Sequence, residues 1–296
     1  MSRRIRKAAV LGSGVMGSGI ACHFANIGLE VLLLDIVPRD LSDDEKSHPA
    51  ARNRIVNDAL KKAIKRKPAP LYDKAFASRI QTGNFDDDFE KISDCDWVIE
   101  VVIERLDIKQ QIFEKVDQYR KPGSLVTSNT SGIPIHMMTE GRSEDFNAHF
   151  CGTHFFNPPR YLRLFEVIPT ELTKPEVIDF FMNYGDVYLG MQTVLAKDSP
   201  AFIGNRVGVY AMAKIYQLTT ELELPISTVD KLTGPAIGRP KTGTYRLGDL
   251  VGHDTSVNVI KGIKDNCPHD EQAATFEVPK YMQFLVDNKF LGNKTG

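Results

Sequence analysis

Gly12-Ser13-Gly14-Val15-Met16-Gly17 lies between a short apolar run at residues 8–11 and a stretch with helical apolar spacing at residues 15–27. That context gives a G-x-G-x-x-G pattern its meaning, because a strand must turn tightly into a helix there. Gly12 permits the turn, Gly14 lets a pyrophosphate approach bare backbone, and Gly17 lets the helix pack closely on the strand. Val15 and Met16 open the helix, whose unpaired N–H groups and partial positive charge suit phosphate. Asp35 follows Gly17 by eighteen residues and sits near the end of an apolar run at residues 29–36. A carboxylate in that place can bind both ribose hydroxyls and meets a 2′-phosphate as like charge, so the pattern predicts NAD in preference to NADP. Arg39, four residues on, is the one nearby cation that softens this preference.

Beyond the glycine loop the chain keeps alternating. Residues 97–103, 124–128, 150–156, 164–168 and 192–196 read as strands. Helices are expected at about 50–67, 107–119 and 175–189. Such alternation predicts an α/β fold, a Rossmann-type mostly parallel sheet with helices on both faces. After Ser199-Pro200 the texture changes. Residues 202–222 form a long amphipathic stretch, and apart from a Gly/Pro-rich segment at 234–252 the remainder reads as helix or loop. The expected organisation is therefore a dinucleotide-binding domain over residues 1–198 and an all-α C-terminal domain over 199–296. At 296 residues the chain also exceeds the usual size of a single hydrophobic core.

With a formal net charge of −1, no global field recruits nucleic acid or an anionic membrane, so anion binding must be local. Cys22, Cys95, Cys151 and Cys267 show no metal-ligand spacing, so no metal site is expected and reduced thiols are. The basic start, Met1 to Lys7, lacks the apolar core and cleavage pattern of a signal peptide. No run approaches the roughly 18 to 20 apolar residues that span a bilayer. A cytoplasmic protein with neither membrane nor nucleic-acid partners is expected.

The substrate is indicated by His154-Phe155-Phe156-Asn157-Pro158-Pro159, with Glu166 in the next strand-like run. Together with Ser128-Asn129-Thr130-Ser131 and Phe202-Ile203-Gly204-Asn205-Arg206, this resembles the L-3-hydroxyacyl-CoA dehydrogenase family. The opening G-S-G-V-M-G-S-G-I-A is similar to that family's as well, and the likeness runs through nearly the whole chain. The resemblance implies that His154 is a catalytic base with Glu166 as the acid that orients it. Physically, oxidation of a secondary alcohol needs its proton removed as hydride leaves carbon, and imidazole suits that task near neutral pH. Ser131 and Asn205 match the family's polar pair around the reacting oxygen, where donors stabilise developing charge. Many relatives have a second serine where this chain has Gly132.

For the cofactor, the resemblance implies contacts from Glu104, Lys109, Asn157 and Lys294 as well as Ser131. The blander reading of Glu104 and Lys109 is a surface ion pair of little worth. For the substrate, the resemblance implies that Lys62, Lys65 and Arg66 of the basic helix hold the phosphates of an acyl-CoA, against the plain alternative of a solvated face. A serine used by some relatives is replaced there by Ala59.

The wording Gly238-Arg239-Pro240-Lys241-Thr242 is closer to long multifunctional members that carry an enoyl-CoA hydratase-like module. The end at Gly292 to Gly296 reads as a cut inside a motif that relatives continue. A homodimer is likewise implied by the resemblance. The activity expected is NAD-dependent oxidation of an (S)-3-hydroxyacyl-CoA to the 3-oxoacyl-CoA in fatty acid β-oxidation. Two alternatives stand beside it: a related dehydrogenase of a free hydroxy or sugar acid, and a nucleotide-binding protein without catalysis.

Overall fold

The computed structural model describes residues 3–295; Met1 and Ser2 of the basic start and the terminal Gly296 lie outside them. The chain divides into two compact units, one ending at Asp198 and the other beginning at Ser199.

The first unit is built on a sheet of eight strands: β1 (Lys7–Leu11), β2 (Glu30–Asp35), β3 (Ile80–Asn84), β4 (Trp97–Glu100), β5 (Leu125–Ser128), β6 (Phe150–Phe155), β7 (Leu164–Pro169) and β8 (Gln192–Leu195). Their order is β3-β2-β1-β4-β5-β6-β7-β8. All neighbours pair in parallel except β6 and β7, which are antiparallel. Its helices are α1 (Val15–Asn26), α2 (Pro49–Arg52), α3 (Arg54–Ile64), α4 (Leu106–Tyr119), α5 (Glu144–Ala148) and α6 (Pro175–Val187). The helix expected at about 50–67 is broken at Asn53 and ends at Ile64, and two strands also depart from the sequence expectation. Strand β3, with Gln, Thr, Gly and Asn among its five residues, lies on the sheet edge and has little apolar signal. The expected strand at 97–103 stops at Glu100, where the chain leaves the sheet.

Alternating side chains divide the first unit's core into two layers. On one face Trp97 packs against Phe24 of α1 and Phe181 of α6, with ring centroids 4.6 and 5.1 Å apart. Phe155, Phe165 and Val167 belong to the same cluster. On the other face Phe113 of α4, Phe146 of α5 and Phe150 of β6 form a second aromatic group. Because Phe155, Phe165 and Val167 face the first layer, His154 and Glu166 face the second.

The second unit holds α7 (Gly204–Glu221), α8 (Ile226–Leu232), α9 (Tyr245–Val251), α10 (His253–Asn266) and α11 (Lys280–Asp287). Tyr216, Tyr245, Val257, Ile260 and Met282 are among its buried core. Helix α9 lies inside the Gly/Pro-rich segment, where Gly243 and Gly252 bound its two ends. Among the described residues no helix is long and apolar enough to cross a membrane.

Candidate active site

The glycine loop leaves β1 at Leu11 and enters α1 at Val15. Gly12 has φ +107°, and a Cβ there would stand 2.6 Å from the Val101 carbonyl oxygen. A Cβ on Gly17 would stand 1.8 Å from the Gly12 carbonyl oxygen, so the helix meets the end of the strand this closely only with glycine at 17, while glycine at 12 makes room for Val101. Gly14 differs. Its φ is −54°, and an added Cβ would meet nothing within 4 Å. The fold does not require glycine at 14; the open space beside a helix N-terminus fits a dinucleotide pyrophosphate. Val15 is exposed at this point and Met16 packs partly against the core.

Asp35 ends β2 beside the loop. Its Oδ2 accepts the Ser13 backbone N–H at 2.7 Å and the Ser13 hydroxyl, while Oδ1 accepts the Ile36 N–H at 2.7 Å. Arg39 is exposed. Arg66, just beyond α3, donates to the carbonyl oxygen of Val15 at 3.1 Å, which brings a guanidinium to the first turn of α1. Lys62 and Lys65 remain exposed on and just after α3.

Beyond β4 the chain forms a polar cluster on the α4 side of the sheet. Lys109 of α4 lies 2.7 Å from Glu100 Oε1 and 3.2 Å from Glu104 Oε2. Lys109 and Glu100 are buried, which corrects the surface-pair reading of Lys109. Glu100 also accepts the Ser128 hydroxyl and the Val102 N–H. Burial pushes the Glu100 carboxyl up, against the opposing pull of Lys109. Glu104 is pushed the same way by burial, but the Lys109 charge and the donors Thr130 O–H and Ser131 N–H outweigh it and hold the group below its usual range. The backbone N–H groups of Ser131 and Gly132 donate to Glu104 Oε1 at 3.0 and 3.1 Å. Glu104 therefore fixes the backbone that carries Ser131.

The same segment is pinned further along. Asp198 accepts the backbone N–H groups of Ile135 and His136, and the Ile135 side chain packs onto the backbone of Gly152 in β6. Asn129 Oδ1 accepts the Phe155 N–H at 2.9 Å, tying the end of β5 to the end of β6. The Ser131 loop thus lies along the strand end that bears His154.

His154 and Glu166 are directly opposite partners in the antiparallel β6–β7 pair. His154 Nδ1 is 2.6 Å from Glu166 Oε2, with relative exposures of 4% and 0% for the two residues. A carboxylate only accepts, so Nδ1 carries the hydrogen and the ring's basic lone pair is on Nε2. The Phe156 ring lies 4.4 Å from the imidazole, centroid to centroid. Asn157 follows, exposed, in the turn after β6.

Asn205 and Lys294 belong to the second unit. Asn205 lies in the first turn of α7. Lys294 Nζ is 2.8 Å from both Asp254 Oδ1 and Thr255 Oγ1 at the start of α10. The first unit gathers His154, Glu166, Ser131, Glu104 and Lys109 near the ends of β4, β5 and β6. Gly12, Gly14, Gly17 and Asp35 gather at the ends of β1 and β2.

Three contributors were not singled out from the sequence. Glu100 had a usable signal, since an acid inside the apolar run W-V-I-E-V-V needs a buried cation. Asn129 and Ser13 had none, because an amide or hydroxyl in a loop looks the same whether it binds a neighbour or water.

Residues 7–199 match the model of the 3-hydroxyacyl-CoA dehydrogenase NAD-binding domain, and residues 202–296 match that of the 3-hydroxyacyl-CoA dehydrogenase C-terminal domain. A probable 3-hydroxyacyl-CoA dehydrogenase of Bacillus subtilis is 49% identical over all of this chain, which spans 38% of that protein's length. One from Deinococcus radiodurans is 43% identical over 99% of the chain and 82% of its own length. Among solved structures, the (S)-3-hydroxybutyryl-CoA dehydrogenase PaaH1 of Ralstonia eutropha is similar with a TM-score of 0.79 and 27% identity. That match covers 99% of this chain and 97% of the other.

Proposed function

This chain belongs to the 3-hydroxyacyl-CoA dehydrogenase family, and from that premise we propose that it interconverts (S)-3-hydroxyacyl-CoA and 3-oxoacyl-CoA with NAD in fatty acid β-oxidation. The observation that carries the reading is the buried, in-register His154–Glu166 pair at 2.6 Å.

NAD, when bound, supplies the acceptor for hydride. The chain's own residues do the rest. Glu166 holds the His154 ring with Nδ1–H turned toward it, and Nε2 takes the hydroxyl proton of the substrate. The imidazolium that results is stabilised by the Glu166 carboxylate, and in the reverse direction it returns the proton. Ser131 and Asn205 would donate to the reacting oxygen and stabilise its developing charge. Ser131 is held for that by the bonds of Glu104 to the backbone of residues 131 and 132.

The residues that would hold the cofactor are Gly12, Gly14, Val15, Met16 and Gly17 at the pyrophosphate and Asp35 at the ribose. Glu104, Lys109, Asn157 and Lys294 complete the set. Lys62, Lys65 and Arg66 would meet the phosphates of CoA, with Arg66 nearest the glycine loop through its bond to Val15. Dimerisation through the helical unit belongs to the same reading, supported by apolar Val207 and Leu222 on or beside α7, 65% and 61% exposed. So do a cytoplasmic location and, in a longer protein, fusion to an enoyl-CoA hydratase-like module.

The test is consumption of NADH with acetoacetyl-CoA, with His154→Ala alongside. Wild-type turnover and a loss of about 10²- to 10⁴-fold in kcat for the variant are expected. Turnover of a free hydroxy acid but not the thioester, or an unaffected variant, would overturn the assignment.

A further inference from the structure

Asp35 has fewer open acceptor sites than a ribose diol needs. An ionised carboxylate offers about four lone-pair positions over its two oxygens. The Ser13 N–H and O–H both go to Oδ2 and the Ile36 N–H goes to Oδ1, so three positions are already taken by the protein. One acceptor position remains, on Oδ1. Ser13 itself is 1% exposed, so its hydroxyl is turned inward to Asp35 and away from a ligand.

We propose that Ser13 is a positioning residue that locks Asp35 in one rotamer, presents a single acceptor to the ribose, and thereby steepens discrimination against a 2′-phosphorylated cofactor. A carboxylate without the Ser13 hydroxyl keeps one backbone N–H donor on each oxygen and can swing aside to lower its repulsion of a 2′-phosphate. One held by three donors, two from a buried residue, stays in place and meets the phosphate as like charge. The bidentate ribose contact expected from sequence thus becomes a single hydrogen bond to Oδ1. Discrimination then rests on the rigidity of the carboxylate as much as on its charge. This rests on the reading of the loop as a site for NAD.

The test measures dissociation constants for NADH and for NADPH, without acyl-CoA, by quenching of protein fluorescence. The proteins are wild type, Ser13→Ala, Ser13→Cys, Asp35→Ala and the Ser13→Ala/Asp35→Ala double variant. Wild type is expected to prefer NADH, and Ser13→Ala to reduce the NADPH-to-NADH ratio of constants by about tenfold. Ser13→Cys, which keeps a weak donor, falls between. In the Asp35→Ala background the Ser13 change has no effect on the ratio. A purely structural role would weaken both cofactors by the same factor and leave the ratio alone, which overturns the proposal. A ratio that changes equally with and without Asp35 also overturns it. Wild type that binds neither dinucleotide would instead overturn the cofactor reading, and this inference with it.

Discussion

Lys109 Nζ lies 2.7 Å from Glu100 Oε1, with side-chain exposures of 1% and 0%. Lys109 also reaches Glu104, but among the described residues Glu100 has only Lys109 as a cation, so removing the lysine leaves the Glu100 carboxyl buried without compensation. Lys109→Met is therefore expected to destabilise the fold by about 3–5 kcal/mol, measured by urea unfolding. Adding Glu100→Gln should recover at least half of that loss. A double variant no more stable than Lys109→Met would show that the cost is lost packing instead.

Glu104 offers a prediction with a defined sign. Its folded carboxyl titrates below the usual value of 4.5, so it contributes stability that is complete above about pH 4.5 and is lost as the pH falls through the depressed value. The stability gap between wild type and Glu104→Gln should be widest near neutrality and narrow on acidification. A gap that stays constant from neutral pH to about pH 3.5 would contradict the assignment.

The glycine loop separates folding from binding. Gly17→Ala sets a Cβ against the Gly12 carbonyl oxygen and should cost about 1–3 kcal/mol. Gly14→Ala meets nothing and should change stability by no more than about 0.5 kcal/mol. Its effect should appear in the NADH dissociation constant, raised about tenfold or more as the methyl group occupies the phosphate's approach. Thermal unfolding and NADH titration of both variants check the contrast. Unaltered NADH affinity in Gly14→Ala would place the pyrophosphate elsewhere.

Glu166→Gln tests orientation. An amide can meet Nδ1 through its oxygen or its nitrogen, so the ring is no longer restricted to one tautomer. We expect kcat to fall on the order of 10²-fold or more, with the KM for acetoacetyl-CoA nearly unchanged. A fall in affinity at unchanged kcat would mean that Glu166 serves substrate binding.

What could be read from the chain alone was the repeating and the chemically specific. The G-x-G-x-x-G loop, the apolar strand runs, the change of texture at Ser199 and the H-F-F-N-P element each carry a local signal. Strand β3 does not, because an edge strand need not be apolar on both faces. The antiparallel turn of β7 was equally invisible: the composition of 164–168 is the same whichever way the strand runs. The buried partnership of Glu100 and Lys109 depends on α4 lying over β4, a tertiary fact that spacing does not state. That the Ser13 hydroxyl is spent on Asp35 is likewise unmarked in the sequence.

The pairing of β6 with β7 places Glu166 opposite His154. Slipping that alignment by one residue would set Phe165 or Val167 across from the imidazole and send the carboxylate to the aromatic layer on the far side. The contact between His154 and Glu166 is thus held by counting. It can be lost without altering either member of the pair, by any change between residues 156 and 163 that shifts how two strands line up. Variation in that hairpin is bounded less by what its side chains touch than by the parity it must preserve.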